Sequence, residues 1–219
     1  MRISKILSYI LHPIIMPIIV LYIGINYVGY FKTIFHQHTK FLYVIILLST
    51  LVLPLISASI YVYGPSKVKS FSMKSKEERL GPLLSTLFIM TISFPIFNSI
   101  AKLSLHMSSI YISSALLILL SYIITRKWKI SLHMLGIGGA SGTFIALNII
   151  FGGLFNWIIL FLFFSGLLAF ARLDQKAHNV PQVYAGFLLG CLFQVFFILN
   201  YSSIISTISI FRSSMASLL

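Results

Sequence analysis

Three short segments of this 219-residue chain concentrate the residue types that can do chemistry. Lys74-Ser-Lys76-Glu-Glu-Arg79 is strongly charged, and Lys129-Ile-Ser131-Leu-His133 sets a hydroxyl and an imidazole beside an ammonium. Arg172 is followed six residues later by His178. Two His, at least two Arg and several Lys at a bilayer edge suit an anionic headgroup, because cations give charge-assisted hydrogen bonds to phosphate oxygens. Near neutral pH an imidazole supplies either a lone pair or a proton. Glu77, Glu78 and Asp174 are the only acids, too few for a carboxylate cage around Mg²⁺ or Ca²⁺. Cys191 is the single cysteine, so disulfides and thiolate zinc sites are excluded. Neither a metal nor a cofactor is expected.

The elements that position these residues follow from the rest of the composition. Only 9% of the chain is charged, against about 25% in soluble domains, so a water-facing surface cannot be built. Charge-free runs cover 6–31, 41–66, 80–101, 103–125, 130–171 and 177–211. Each exceeds the roughly 20 residues that cross a bilayer core as a helix. The run 130–171 is about twice that length and must turn, with Gly152-Gly153 the obvious place. Seven spans are predicted, at about 6–28, 41–63, 82–101, 107–125, 131–150, 154–171 and 182–204. The runs are continuous rather than alternating, which selects helices over a barrel. The expected fold is an all-α polytopic membrane bundle, one domain over 1–219. The first apolar stretch is too long for a signal peptide and reads as a retained span, kinked by Pro13 and Pro17.

Seven spans put the N-terminus and segments 64–81, 126–130 and 172–181 on one side. That side holds twelve of the sixteen Lys and Arg, among them Lys67, and all three acids. The positive-inside rule explains part of this bias and predicts a cytoplasmic face of the inner membrane. A second explanation can coexist with it: even numbers of spans separate the three chemical segments, so they can converge on one face. The plainer alternative for each segment is a basic loop that meets headgroups without further purpose.

The residues then show a resemblance. Ala171-Arg172, five residues, His178, three residues and Gln182 looks like the third signature of the type 2 phosphatidic acid phosphatase and haloperoxidase superfamily, with Ala171 for Ser and Gln182 for Asp. Ile130-Ser131-Leu132-His133 resembles its second signature, Pro-Ser-Gly-His, with Ser and His kept. Arg79 matches the Arg of the first signature; Leu80 replaces the Pro, and Lys74 or Lys76 substitutes for the Lys. The chain looks like a divergent, integral-membrane bacterial branch, a six-helix core with one extra span.

The resemblance implies metal-free hydrolysis of a lipid phosphate. His178 is the implied nucleophile, forming a phosphohistidine, and His133 the implied general acid. Arg172, Arg79, Ser131 and Lys74 or Lys76 would hold the phosphoryl oxygens, where clamped cations supply most of the rate. Gln182 accepts a hydrogen bond but brings no charge. Asp174, four residues before His178, is expected to orient the imidazole if the segment is helical. The implied partners are the membrane and phosphatidate, phosphatidylglycerol phosphate or a polyprenyl diphosphate; nucleic acid is not expected. A non-catalytic relative that binds or moves anionic lipids is the alternative, and a small-solute transporter a third class, disfavoured by the lack of intramembrane acids.

Gly136, Gly138, Gly139 and Gly142 lack the Gly-Lys-Ser/Thr of a phosphate loop. Gly138 with Gly142, and Gly186 with Gly190, have the spacing of close helix packing. His36 and His38 read as an ordinary loop, while His12 and His106 have no evident partner. Tyr22, Tyr27, Tyr30 and Tyr43 fit an interfacial belt.

Overall fold

The structure is a computed structural model that describes residues 2–64, 68–73 and 75–216, with side chains from Ile3 to Thr207. Lys67 and Lys74 lie outside the described residues. Among the described residues, seven helical stretches are long and apolar enough to cross a bilayer: Ile3–Tyr27, Thr39–Tyr63, Glu77–Ala101, Leu105–Lys127, Leu132–Phe151, Phe155–Asp174 and Val180–Thr207. The described chain is an all-α polytopic bundle without a strand. In lipid every backbone N–H and C=O needs a partner within the protein, and a helix satisfies each within its own segment.

The first two spans are interrupted, each beside a proline. Helix α1 (Arg2–Ile10) ends before a 3₁₀ turn at Pro13–Ile15, and α2 (Met16–Tyr27) continues it. His12 has extended backbone there, and its Nδ1 accepts from Ile14 N–H at 3.4 Å. Pro13 cannot donate to the ladder. It packs against Gly136, where an added Cβ would come within 2.8 Å of the Pro13 Cβ. After the short α3 (Gly29–Ile34), the second span runs through α4 (Thr39–Leu47), a π turn at Leu48–Val52, and α5 (Leu53–Tyr63). Pro54 stands at the start of α5 and lacks the N–H that would continue the regular ladder; π turns accommodate such breaks.

The remaining spans are α6 (Glu77–Ala101), α7 (Leu105–Lys127), α8 (Leu132–Phe151), α9 (Phe155–Asp174) and α10 (Val180–Ala216). Helix α6 begins five residues before the predicted span, since Glu77 and Glu78 sit in its first turn and favour the positive end of the helix dipole. The turn between α8 and α9 uses Gly152 and Gly153 at φ +72° and +80°, a region open to glycine and closed to most side chains. Leu154 N–H is satisfied by Asn148 Oδ1 at 2.8 Å.

Helix α8 is the buried axis, and α10 lies directly along it. An added Cβ would come within 2.3 Å of Phe187 O at Gly138, of Cys191 O at Gly142, and of Leu135 O at Gly190. At Gly186 it would reach Ser131 O at 2.7 Å. These four glycines let two backbones touch, which dispersion and close approach reward in lipid. Phe144, Leu147, Leu154 and Leu168 are fully buried around this axis, while Phe88, Ile92, Phe163, Phe170 and Phe196 face outward.

One end of the bundle gathers the chemical segments, as the predicted sidedness requires. Lys76 Nζ reaches Arg126 O at 3.1 Å, Lys129 Nζ reaches Ala177 O at 3.2 Å, and Ser4 Oγ reaches Asp174 Oδ2 at 2.5 Å. Aromatic contacts mark the other end: Tyr27 on Trp157, Tyr30 stacked on Phe151, and His106 edge-on to Phe151.

Candidate functional site

The site is built from two adjoining helix starts. Asn179 and Gln182 form a reciprocal cap at the head of α10: Gln182 N–H donates to Asn179 Oδ1 at 3.1 Å, and Asn179 N–H to Gln182 Oε1 at 3.3 Å. Pro181 occupies the first turn, where its missing N–H costs nothing. Ser131 N–H, at the head of α8, donates to Gln182 O at 3.3 Å, so the two helix starts are joined. Both present the positive end of a helix dipole to the same region.

Cations brace the connecting strands of chain. Arg79 is 6% exposed; its Nε donates to Met73 O at 3.0 Å and its Nη1 to Ile130 O at 3.1 Å. Lys129 is half-buried, and its ammonium is pushed down from the usual lysine range by burial and by the charges of Arg79 and Arg172. Arg172, at the last turn of α9, gives one Nη1 hydrogen bond to Ser8 Oγ at 3.2 Å. Among the described residues its Nε is buried without a partner, as is the Oγ of fully buried Ser131. Unpaired buried polar atoms are costly, and a donor-rich pair beside two helix starts is what an anion's oxygens would satisfy.

His178 sits inside this cluster at 7% exposure. Its Nδ1 lies 3.0 Å from Gln182 Oε1. That oxygen also accepts from Asn179 N–H, which sets the amide's orientation. Nδ1 therefore carries the proton, and Nε2 keeps its lone pair. Burial lowers the imidazole pKa to about 3; Arg79, Arg172 and Lys129 push the same way, and the Gln182 bond opposes them. The ring is neutral, oriented and surrounded by positive charge.

One expectation requires correction. Asp174 is exposed and accepts from Ser4 Oγ; the hydrogen bond that orients His178 comes from Gln182. The reason is local. Helix α9 ends at Asp174, and Lys176 takes φ +50°, so residues 174 and 178 do not share a helical face. Lys76 Nζ donates to the C-terminal carbonyls of α7, Arg126 O and Lys127 O, where the helix dipole favours a cation. Lys74, the other candidate, lies outside the described residues.

His133 is close by but differently engaged. Its Nε2 lies 3.1 Å from Ser8 O, and its ring meets His12 edge-on at 4.9 Å between centroids. A carbonyl only accepts, so the Nε2 proton points at Ser8 in this arrangement. Helix α1 thus enters the site through Ser4 and Ser8, which sequence reasoning missed along with Gln175 and His12. Gln175 Nε2 donates to Ser4 O at 2.7 Å and Ser8 Oγ at 2.9 Å. The available signals were the Asn-x-x-Gln cap ahead of an apolar run and the i, i+4 serines of α1.

No protein family, curated protein or solved structure compared with the chain matches it.

Proposed function

We propose that the chain binds the phosphate of a membrane lipid between the starts of α8 and α10 and hydrolyses it, with His178 as nucleophile. The observation that carries this reading is the neutral His178 ring, held through Nδ1 by Gln182 and flanked by Arg79, Arg172 and Lys129. Its Nε2 lone pair would attack phosphorus while the bond to the lipid oxygen breaks. The leaving oxygen takes a proton, and water then cleaves the phosphohistidine to free phosphate and the original imidazole. The cations would hold the phosphoryl oxygens as charge develops on them. The resemblance of 171–182 and 130–133 to the phosphatase signatures supports the same chemistry. The substrate class is phosphatidate, phosphatidylglycerol phosphate or a polyprenyl diphosphate. The site is assigned to the cytoplasmic face of a bacterial inner membrane on the distribution of basic residues.

A second reading, binding without cleavage, draws support from His133, whose proton is directed at Ser8 O rather than at a leaving group. Purified protein in detergent, given each lipid phosphate in the presence of EDTA, separates the two. Phosphate release that persists in EDTA and vanishes in His178→Ala supports hydrolysis. Retained binding with no release from any substrate supports the binder.

A further inference from the structure

Helix α1 turns its polar face inward. Ser4 and Ser8 are 3% and 7% exposed, whereas Ile3, Ile6, Tyr9 and Ile10 are each more than half exposed. In a bilayer the outward face is solvated by lipid, and hydroxyls turn in to find partners. The partners here belong to the candidate site. Ser8 Oγ accepts from Arg172 at 3.2 Å and from Gln175 at 2.9 Å, and Ser8 O accepts from His133 at 3.1 Å. Ser4 Oγ donates to Asp174 at 2.5 Å, and Ser4 O accepts from Gln175 at 2.7 Å.

These attachments are exchangeable. Each hydrogen bond contributes roughly 1 kcal/mol net, and a phosphate oxygen is a stronger acceptor for guanidinium and imidazole than a hydroxyl or a peptide carbonyl. A hinge is in place as well, since the helix breaks at Leu11–His12 before the Pro13–Ile15 turn. Released from its partners, α1 can pivot at that break while its outward apolar face stays against lipid.

We propose that α1 is a strap that occupies the anion site in the resting protein and is displaced by a lipid phosphate, which takes over Arg172 and His133. This rests on reading the site as one for lipid phosphate. It also assigns the mechanism a missing step, because displacement of Ser8 O is what frees the His133 proton for a leaving oxygen.

The test uses the full chain with Cys191→Ser, Ser4→Cys and Gln175→Cys in phosphatidylcholine nanodiscs, locked by oxidation or a short thiol crosslinker and released by reduction or omission of the linker. Short-chain phosphatidate is titrated onto both forms, so one polypeptide serves as its own folding control. The locked form is expected to bind about tenfold or more weakly than the released form, the loss of one charge-assisted contact being worth roughly that factor. Ser8→Ala in the natural background, lacking the hydroxyl that competes for Arg172, is expected to bind several-fold tighter than the unaltered chain. Equal affinities of locked and released forms, with binding still abolished by Arg172→Gln, would overturn the strap and leave the site reading standing. Absence of binding in every form overturns both.

Discussion

Gln182 holds His178 by a 3.0 Å hydrogen bond while its own backbone is capped by Asn179. One amide therefore starts helix α10 and orients the imidazole. The orientation is tied to helix formation, and it comes from an amide rather than a carboxylate. A neutral acceptor aligns an imidazole without stabilising a positive charge on it.

Gln182→Glu is accordingly expected to gain function. Glu is a good residue at the third position of a capped helix, so the cap is kept. The added charge should raise the His178 pKa and increase phosphate release, by about tenfold or more given how strongly a lost orienting carboxylate slows related chemistry. Gln182→Leu should lose both roles, with release falling to background and helix stability dropping by about 1 kcal/mol. Release rates against pH and thermal unfolding in detergent measure the two effects separately.

The pH dependence of stability follows from the buried ring. The folded pKa of His178, about 3, lies below the unfolded value near 6.5. Between these values the unfolded chain binds the proton more readily, so stability is complete above about pH 6.5 and declines as pH falls towards 3. Thermal midpoints at pH 7, 5 and 4 should fall more steeply for the natural chain than for His178→Gln. Identical slopes would show that the ring is not held neutral.

Arg79 should prove structural as well as electrostatic. It fastens Met73 O and Ile130 O from an almost fully buried position. Arg79→Met leaves those acceptors without their donor, at roughly 1–3 kcal/mol each where water cannot reach. Its thermal midpoint should fall and its affinity for lipid phosphate with it. Arg172→Lys should change affinity more than stability, because a point ammonium cannot reproduce the guanidinium fork.

The α8–α10 contact makes a sharp contrast among glycines. Gly142→Ala puts a Cβ against the Cys191 backbone, and overpacking of this kind costs about 1–3 kcal/mol. Gly166→Ala meets nothing within 4 Å among the described residues and should be neutral or stabilising by up to about 1 kcal/mol, since Ala favours the helix. Thermal scanning of the pair in one detergent decides this. A equal loss in both would sink the close-packing account.

Much of the architecture was legible in order of residues alone. Charge-free runs marked seven spans to within a few residues, Gly152-Gly153 marked the turn in the longest run, and the basic segments marked the end where Arg79, Lys129, Arg172 and His178 gather. Hydropathy has this reach because the bilayer acts on each segment separately: a run either avoids charge for the thickness of the core or it does not. Partner choice is different in kind. Pairing Asp174 with His178 assumes a helix that continues through 178, and the chain instead ends α9 at Asp174 and begins α10 at Val180. That break hands His178 to Gln182 and leaves Asp174 to Ser4. The capture of Ser8 by Arg172 and His133 joins residues more than 120 positions apart. Side-chain hydrogen bonds act over about 3 Å, so only the packing of α1 against α8 and α9 could decide them.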